Sequence, residues 1–94
     1  MNLFDDVSST SIHIRLQSRN GRKSISSISG LDTDLDFKKL CKYLKKNFKC
    51  NGSVSEDENL GKVIILQGDH CKNIKLFLVD NNICLEDKII IHGL

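Results

Sequence analysis

The segment Ile12-His13-Ile14-Arg15-Leu16-Gln17-Ser18-Arg19-Asn20-Gly21-Arg22-Lys23 decides how this chain is read. Ile12, Ile14 and Leu16 alternate with His13, Arg15 and Gln17, the period of a half-buried strand whose polar face is left to the outside. Asn20-Gly21 follows, and both residue types tolerate the positive φ that a tight hairpin reversal demands. Arg19, Arg22 and Lys23 flank that reversal, where they add nothing to a core but place a compact positive point within reach of phosphates. A charged tip can also be no more than a solubilising edge, so its meaning depends on its surroundings.

Beyond the turn, Lys23 to Ser29 reads as a second strand. Its Ile25 and Ile28 stand at opposite parity among serines, which implies uneven burial or a bulge near Ser26-Ser27, and a bulge is expected. Gly30 punctuates the end, and Asp32-Thr33-Asp34 offers side-chain oxygens suited to a helix start. A helix is expected from about Asp34 to Lys49, because Phe37, Leu40, Cys41, Leu44 and Phe48 recur at spacings of three and four. On its other side Lys38, Lys42, Lys45 and Lys49 form a cationic line about 16 Å long at the usual helical rise, widened by Lys39 and Lys46. A solvated face normally mixes signs, yet Asp and Glu are absent from positions 37 to 55.

Asn51-Gly52 ends that unit, and Ser53 to Ser55 can begin a third strand. Glu56-Asp57-Glu58-Asn59-Leu60-Gly61 reads as an acidic connecting loop, and Val63-Ile64-Ile65-Leu66 as a central strand covered on both sides or nearly so. Gln67-Gly68-Asp69 turns the chain, with Asp69 the expected N-cap of a second helix that buries Cys71, Ile74, Phe77 and Leu78. Ile89-Ile90-Ile91 is the last expected strand. The order ββαββαβ implies an α+β domain, a mixed sheet with two helices packed on one face and its other face open or meeting a partner.

Ninety-four residues suffice for one domain with one modest core, residues 12–94, behind a short loose tail over residues 1–11. The net charge of +2 says little, but its distribution is uneven, with six lysines from Lys38 to Lys49 and three consecutive acids at 56–58. No apolar stretch reaches a membrane span and no signal-peptide pattern opens the chain, so an intracellular, cytoplasmic location is expected. Cysteines 41, 50, 71 and 84 form no C-x-x-C pair and read as reduced thiols rather than metal ligands. Histidines 13, 70 and 92 fall on different elements, His92 just past the last strand, so no nucleophile, base and orienter converge and no catalysis, metal or cofactor is expected. Gly61-Lys62 lacks the upstream glycine and following hydroxyl of a phosphate loop. With five aromatics, most of them in expected cores, base stacking is poorly supplied, which leaves recognition of folded RNA through phosphates and shape.

Taken in order, the segment 12–23, Cys50-Asn51-Gly52, Leu66-Gln67-Gly68-Asp69, Lys72-Asn73-Ile74 and terminal His92-Gly93 closely resemble the eukaryotic translation initiation factor one family, the SUI-domain family. The likeness runs from about Ile12 to Leu94. It implies a monomeric binding factor on the small ribosomal subunit near the P site, promoting scanning and start-codon fidelity by opposing accommodation of initiator tRNA at mismatched codons. By the same resemblance rRNA would be met by Arg19, Asn20, Gly21, Arg22 and Lys23 and by Lys38, Lys39, Lys42, Lys45 and Lys46. Initiator tRNA would face the loop Glu56, Asp57, Glu58, Asn59, Leu60 and Gly61, where acidic side chains repel a phosphate backbone. Initiation factors three, five and two are partners expected at the level of the family. Two other readings share parts of this pattern: a SUI-type domain acting in re-initiation or ribosome recycling, and a non-ribosomal protein-interaction module whose basic helix binds an acidic partner.

Overall fold

Alternation at period two in β1 and β-branched apolar runs in β4 and β5 belong to five strands that join in one sheet of order β3-β4-β2-β1-β5: β1 (Ile12–Arg19), β2 (Lys23–Ser29), β3 (Gly52–Asp57), β4 (Gly61–Gln67) and β5 (Ile89–His92). The computed structural model describes residues 11–19, 21 and 23–93, so the expected tail lies, up to residue 10, outside the described residues. All neighbours are antiparallel except β1 and β5, which run parallel, so the sheet is mixed. Two helices, α1 (Phe37–Phe48) and α2 (Cys71–Asp80), pack on one face, α1 over β3 and β4 and α2 over β1. The α+β order expected from the sequence is the order observed.

The register explains the core. Ile14, Ile28 and Ile64 lie side by side across β1, β2 and β4, and Leu16, Ser26 and Leu66 form the next row. Ile14, Ile28, Ile64 and Leu66 are fully buried against Phe37, Cys41 and Leu44 of α1 and Cys71, Ile74 and Leu78 of α2. Each such aliphatic side chain contributes roughly 1.5–3 kcal/mol through apolar burial.

The expected bulge in β2 is absent. Pairing continues without interruption from Arg19↔Lys23 to His13↔Ser29, and Ile25 to Ile28 pair in step with β4. The two isoleucines differ in parity because β2 is a central strand buried on both faces: Ile28 enters the helix-side core and Ile25 the opposite face. Ser26 occupies a core position because its hydroxyl is fully bonded, donating to Gly68 O at 2.6 Å and accepting from His70 N at 2.9 Å.

Both helix starts differ from expectation. α1 begins at Phe37, not Asp34, because Asp36 is the residue whose carboxylate accepts the Lys39 N–H at 3.2 Å, while Asp32 caps only the preceding turn through Asp34 N. Its far end is closed by Lys49 itself in the left-handed conformation, φ 54°, rather than by the glycine at 52, which opens β3. α2 has His70, not Asp69, at its N-cap, and the His70 N–H is satisfied by Ser26 across the sheet.

Candidate nucleic-acid interface

Arg19 and Lys23 pair across β1 and β2, so the reversal is a three-residue connection through Asn20, Gly21 and Arg22. Gly21 has φ 71°, the left-handed value that the hairpin demands, and is fully at the surface. Asn20 and Arg22 lie outside the described residues, and Lys23 is exposed beside the turn.

On α1, Lys38, Lys39, Lys42 and Lys46 are exposed, whereas Lys45 is half-buried with its stem against Gly52 of β3. The expected line of four lysines is therefore interrupted: Lys45 is partly packed, and Lys49 has already left helical geometry. Among the described residues the one ion pair is Lys75 with Glu86 at 3.5 Å, so no carboxylate neutralises a lysine of α1. Lys45 and Lys46 also fall in the last turn, where cations complement the helix dipole.

The acidic connection is shorter than its sequence suggested. Glu56 and Asp57 still belong to β3 and Gly61 opens β4, leaving Glu58, Asn59 and Leu60 as the tip. Asp57 accepts the N–H groups of Asn59 at 2.8 Å and Leu60 at 3.0 Å with one carboxylate oxygen, so it builds the turn as well as carrying charge. Glu56 and Glu58 are the acids free of such work, and both are exposed.

Strand directions decide how these parts are arranged. β1 climbs to the basic hairpin and β2 descends from it; β4 climbs antiparallel to β2, so the β3–β4 tip lies at the opposite end of the sheet. Ile25 pairs with Gln67, which puts about eight strand residues, roughly 26 Å, between the levels of Lys23 and Gly61. The structure therefore does not bring the two sequence-expected contact loops together. It separates a cationic end from an acidic one, with the lysines of α1 running between them.

The sheet face away from the helices holds a cleft of about 420 Å³ lined by Arg15, Gln17, Ser27, Val63, Ile65 and the tip residue Leu60. Leu60 thus contributes bulk to a surface cleft rather than projecting alone. On the same face the structure joins two groups that looked unrelated in the sequence. His92 is the last residue of β5, not a residue beyond it, and its Nε2 lies 3.0 Å from Nδ1 of His13. Parallel pairing of β5 with β1, which sets Arg15 opposite His92, is what makes that contact, and nothing local to either residue announces it. His70 is elsewhere, stacked on Phe48 with ring centroids 5.4 Å apart and its Nε2 2.8 Å from Gln67 O.

The four cysteines are free, and no group of three or more potential metal ligands exists among the described residues. Burial pushes every one of the four thiols above its ordinary value; at Cys71 the Ser26 hydroxyl opposes that rise in part. They are neutral packing groups.

Comparison with known proteins bears on the family and on the fold. Residues 8–84 match the family model described as translation initiation factor SUI1. The chain is 50% identical over 82 residues, 87% of its own length and 73% of theirs, to protein translation factor SUI1 homolog 2 of Arabidopsis thaliana and to the SUI1 homolog of Salix bakko. It is 49% identical over the same span to the SUI1 homolog of Zea mays, covering 71% of that protein. Among solved structures, the C-terminal domain of human eIF2D superposes with a TM-score of 0.75 over 86% of this chain and 42% of that one, at 16% identity, which is a likeness of fold. With a family match over residues 8–84 and half its aligned residues identical to named members, the chain belongs to the SUI1 family of translation initiation factors.

Proposed function

We propose that this protein binds the small ribosomal subunit near the P site and promotes scanning and start-codon fidelity by opposing the seating of initiator tRNA at mismatched codons. The observation that carries this reading is the division of charge along the sheet: lysines on α1 that no carboxylate among the described residues pairs, with a basic hairpin at one end and exposed acids at the other. Cations on rigid elements hold RNA phosphates, and acids held at a fixed distance from that anchor repel a second RNA backbone. The hairpin residues Arg19 to Lys23 and Lys38, Lys39, Lys42, Lys45 and Lys46 form the anchor, with Lys45 the weakest member because its stem is partly packed. The tip around Glu56 and Glu58 forms the barrier.

The mechanism is a population shift. The factor favours an open subunit, and only a codon match supplies enough free energy to displace the barrier and then the factor. It acts as a cytoplasmic monomer without chemistry, and initiation factors three, five and two share the complex.

Sedimentation with purified small subunits across a salt series tests the anchor. Arg22→Ala with Lys23→Ala should weaken binding and lower the slope of log affinity against log salt by about two, one for each phosphate contact removed. An unchanged affinity and slope would remove the hairpin from the interface, and a wild-type chain that fails to sediment with the subunit would remove the ribosomal reading.

A further inference from the structure

His13 and His92 are 79 residues apart in the chain and meet on the open face of the sheet. Their rings are inclined by only 18°, with centroids 5.2 Å apart while the facing nitrogens are 3.0 Å apart. The centroid separation exceeds the nitrogen separation by close to twice the distance from a ring's centre to its edge. The rings therefore meet nearly in one plane, nitrogen to nitrogen, rather than face on face.

That geometry has one occupant. Each facing nitrogen aims its in-plane bond direction at the other, and 3.0 Å is the length of a single N–H···N hydrogen bond. A zinc-like ion needs about 2.0–2.1 Å to each nitrogen with both lone pairs turned towards a point off the line joining them, so a proton fits the gap and a metal does not. With both imidazoles in the Nε2–H tautomer, His92 Nε2–H donates and His13 Nδ1 accepts.

We infer that this pair is a proton-operated latch on the C-terminal strand. A first proton can settle on Nδ1 of His92, away from the contact, and leaves the bond intact and charge-assisted. A second proton has only His13 Nδ1 to occupy, where it puts two N–H groups head to head and replaces attraction by repulsion between two imidazolium ions. The charged group on this face nearest the pair in the register is Arg15, directly opposite His92, which adds to the repulsion. On the other flanks His13 faces Ser29 of β2 and Ile90 of β5, neither of which titrates, and both helices lie on the far side of the sheet.

The consequence falls on β5. It is a four-residue strand at the edge of the sheet, paired to one neighbour only, with Ile90 41% and Ile91 39% exposed. Short edge strands sit at the low end of local stability, so one side-chain bond is a large share of what holds the strand. Opening it frees the edge of β1 and one wall of the cleft formed by Leu16, Ile91, Gly93 and the start of α2, at the same end of the sheet as the basic hairpin. This inference does not depend on the ribosomal reading.

Amide hydrogen exchange along β5, read at the N–H groups that bond β1 and corrected for intrinsic rates, tests it between pH 8 and pH 5. Protection in the wild-type chain should fall about tenfold over that interval. His13→Asn keeps an acceptor at the Nδ1 position that does not take up a proton, so protection should persist at pH 8 and no longer fall at pH 5. His92→Gln presents an amide that donates to an unprotonated His13 Nδ1 and, turned over, accepts from a protonated one, so protection should again lose its dependence on pH. A wild-type protection that is level across the interval, or a fall of equal size in His13→Asn, would overturn the latch.

Discussion

Ser26 Oγ donates to the carbonyl of Gly68 at 2.6 Å and in the same position accepts the N–H of His70 at 2.9 Å, so one buried hydroxyl on β2 fixes the chain reversal that launches α2. Gly68 N closes the same corner by bonding Ser24 O at 2.7 Å. The Leu66-Gln67-Gly68-Asp69 pattern is thus held by a residue forty positions away, and the fully buried Ser26 is where the fold keeps a polar group inside its core.

Ser26→Ala leaves both Gly68 O and His70 N without their partner beside a fully buried position. Urea unfolding should show a loss of about 2 kcal/mol, against less than about 0.5 kcal/mol for the open-face control Ser27→Ala. Equal losses in the two variants would mean that the corner is held by other contacts.

Gly30 and Gly21 both have positive φ, 87° and 71°, but they differ in what surrounds them. A Cβ at Gly30 would run into the backbone carbonyl of Ser11, whereas at Gly21 it would meet none of the described residues within 4 Å. Gly21→Ala should cost about 1 kcal/mol from conformation alone, and Gly30→Ala about 3 kcal/mol because the approach of the chain before β1 must also give way. Thermal unfolding of the two variants in parallel decides the order.

At the acidic tip, charge and structure are separable. Glu56→Gln combined with Glu58→Gln removes charge without touching the turn, and should raise initiation at UUG relative to AUG in a reporter by about threefold. Asp57→Asn should act in the same direction, since its amide oxygen can still accept the Asn59 and Leu60 N–H groups, while Asp57→Ala should also lose about 1 kcal/mol of stability. A reporter ratio unmoved by the double Gln variant would overturn the proposed repulsion by the acidic tip.

The cysteines predict an alkaline limit. Burial makes each thiol harder to ionise in the folded chain than in the unfolded one, so the folded state keeps its protons to higher pH. The associated stability is complete below the ordinary thiol range and is lost as pH climbs through and above it. Denaturant midpoints should be level in this respect near neutrality and fall above pH 9, and Cys41→Ala with Cys71→Ala should flatten that fall. At pH 7.5 alkylation of Cys41 and Cys71 should be slower than that of a free peptide thiol.

Element types were legible in the sequence because their signals are local. Period two over Ile12 to Leu16 and spacings of three and four from Phe37 to Phe48 identify a strand and a helix without reference to the rest of the chain. Element ends were read less well, since Asp32, Asp34, Asp36 and Asp69 are chemically equivalent candidates and only packing selects which carboxylate meets which N–H. The bulge expected in β2 fails for a related reason. A serine-rich strand with two isoleucines out of phase looks irregular until Ser26 is seen to be satisfied inside the core and Ile25 to be covered on the other face.

By itself, the sequence determined the family, through the order and spacing of motifs along the chain, and the strand and helix content, the basic hairpin and the lysine-bearing helix, because each of these depends on residues close together in the chain. Tertiary structure alone decided that the basic and acidic loops stand at opposite ends of the sheet, that Asp57 is tied into its own turn, that Lys45 is partly packed, and that His13 meets His92. The physical reason is the same in each case: strand direction and register convert distance along the chain into contact or separation in space, and no local pattern carries that information.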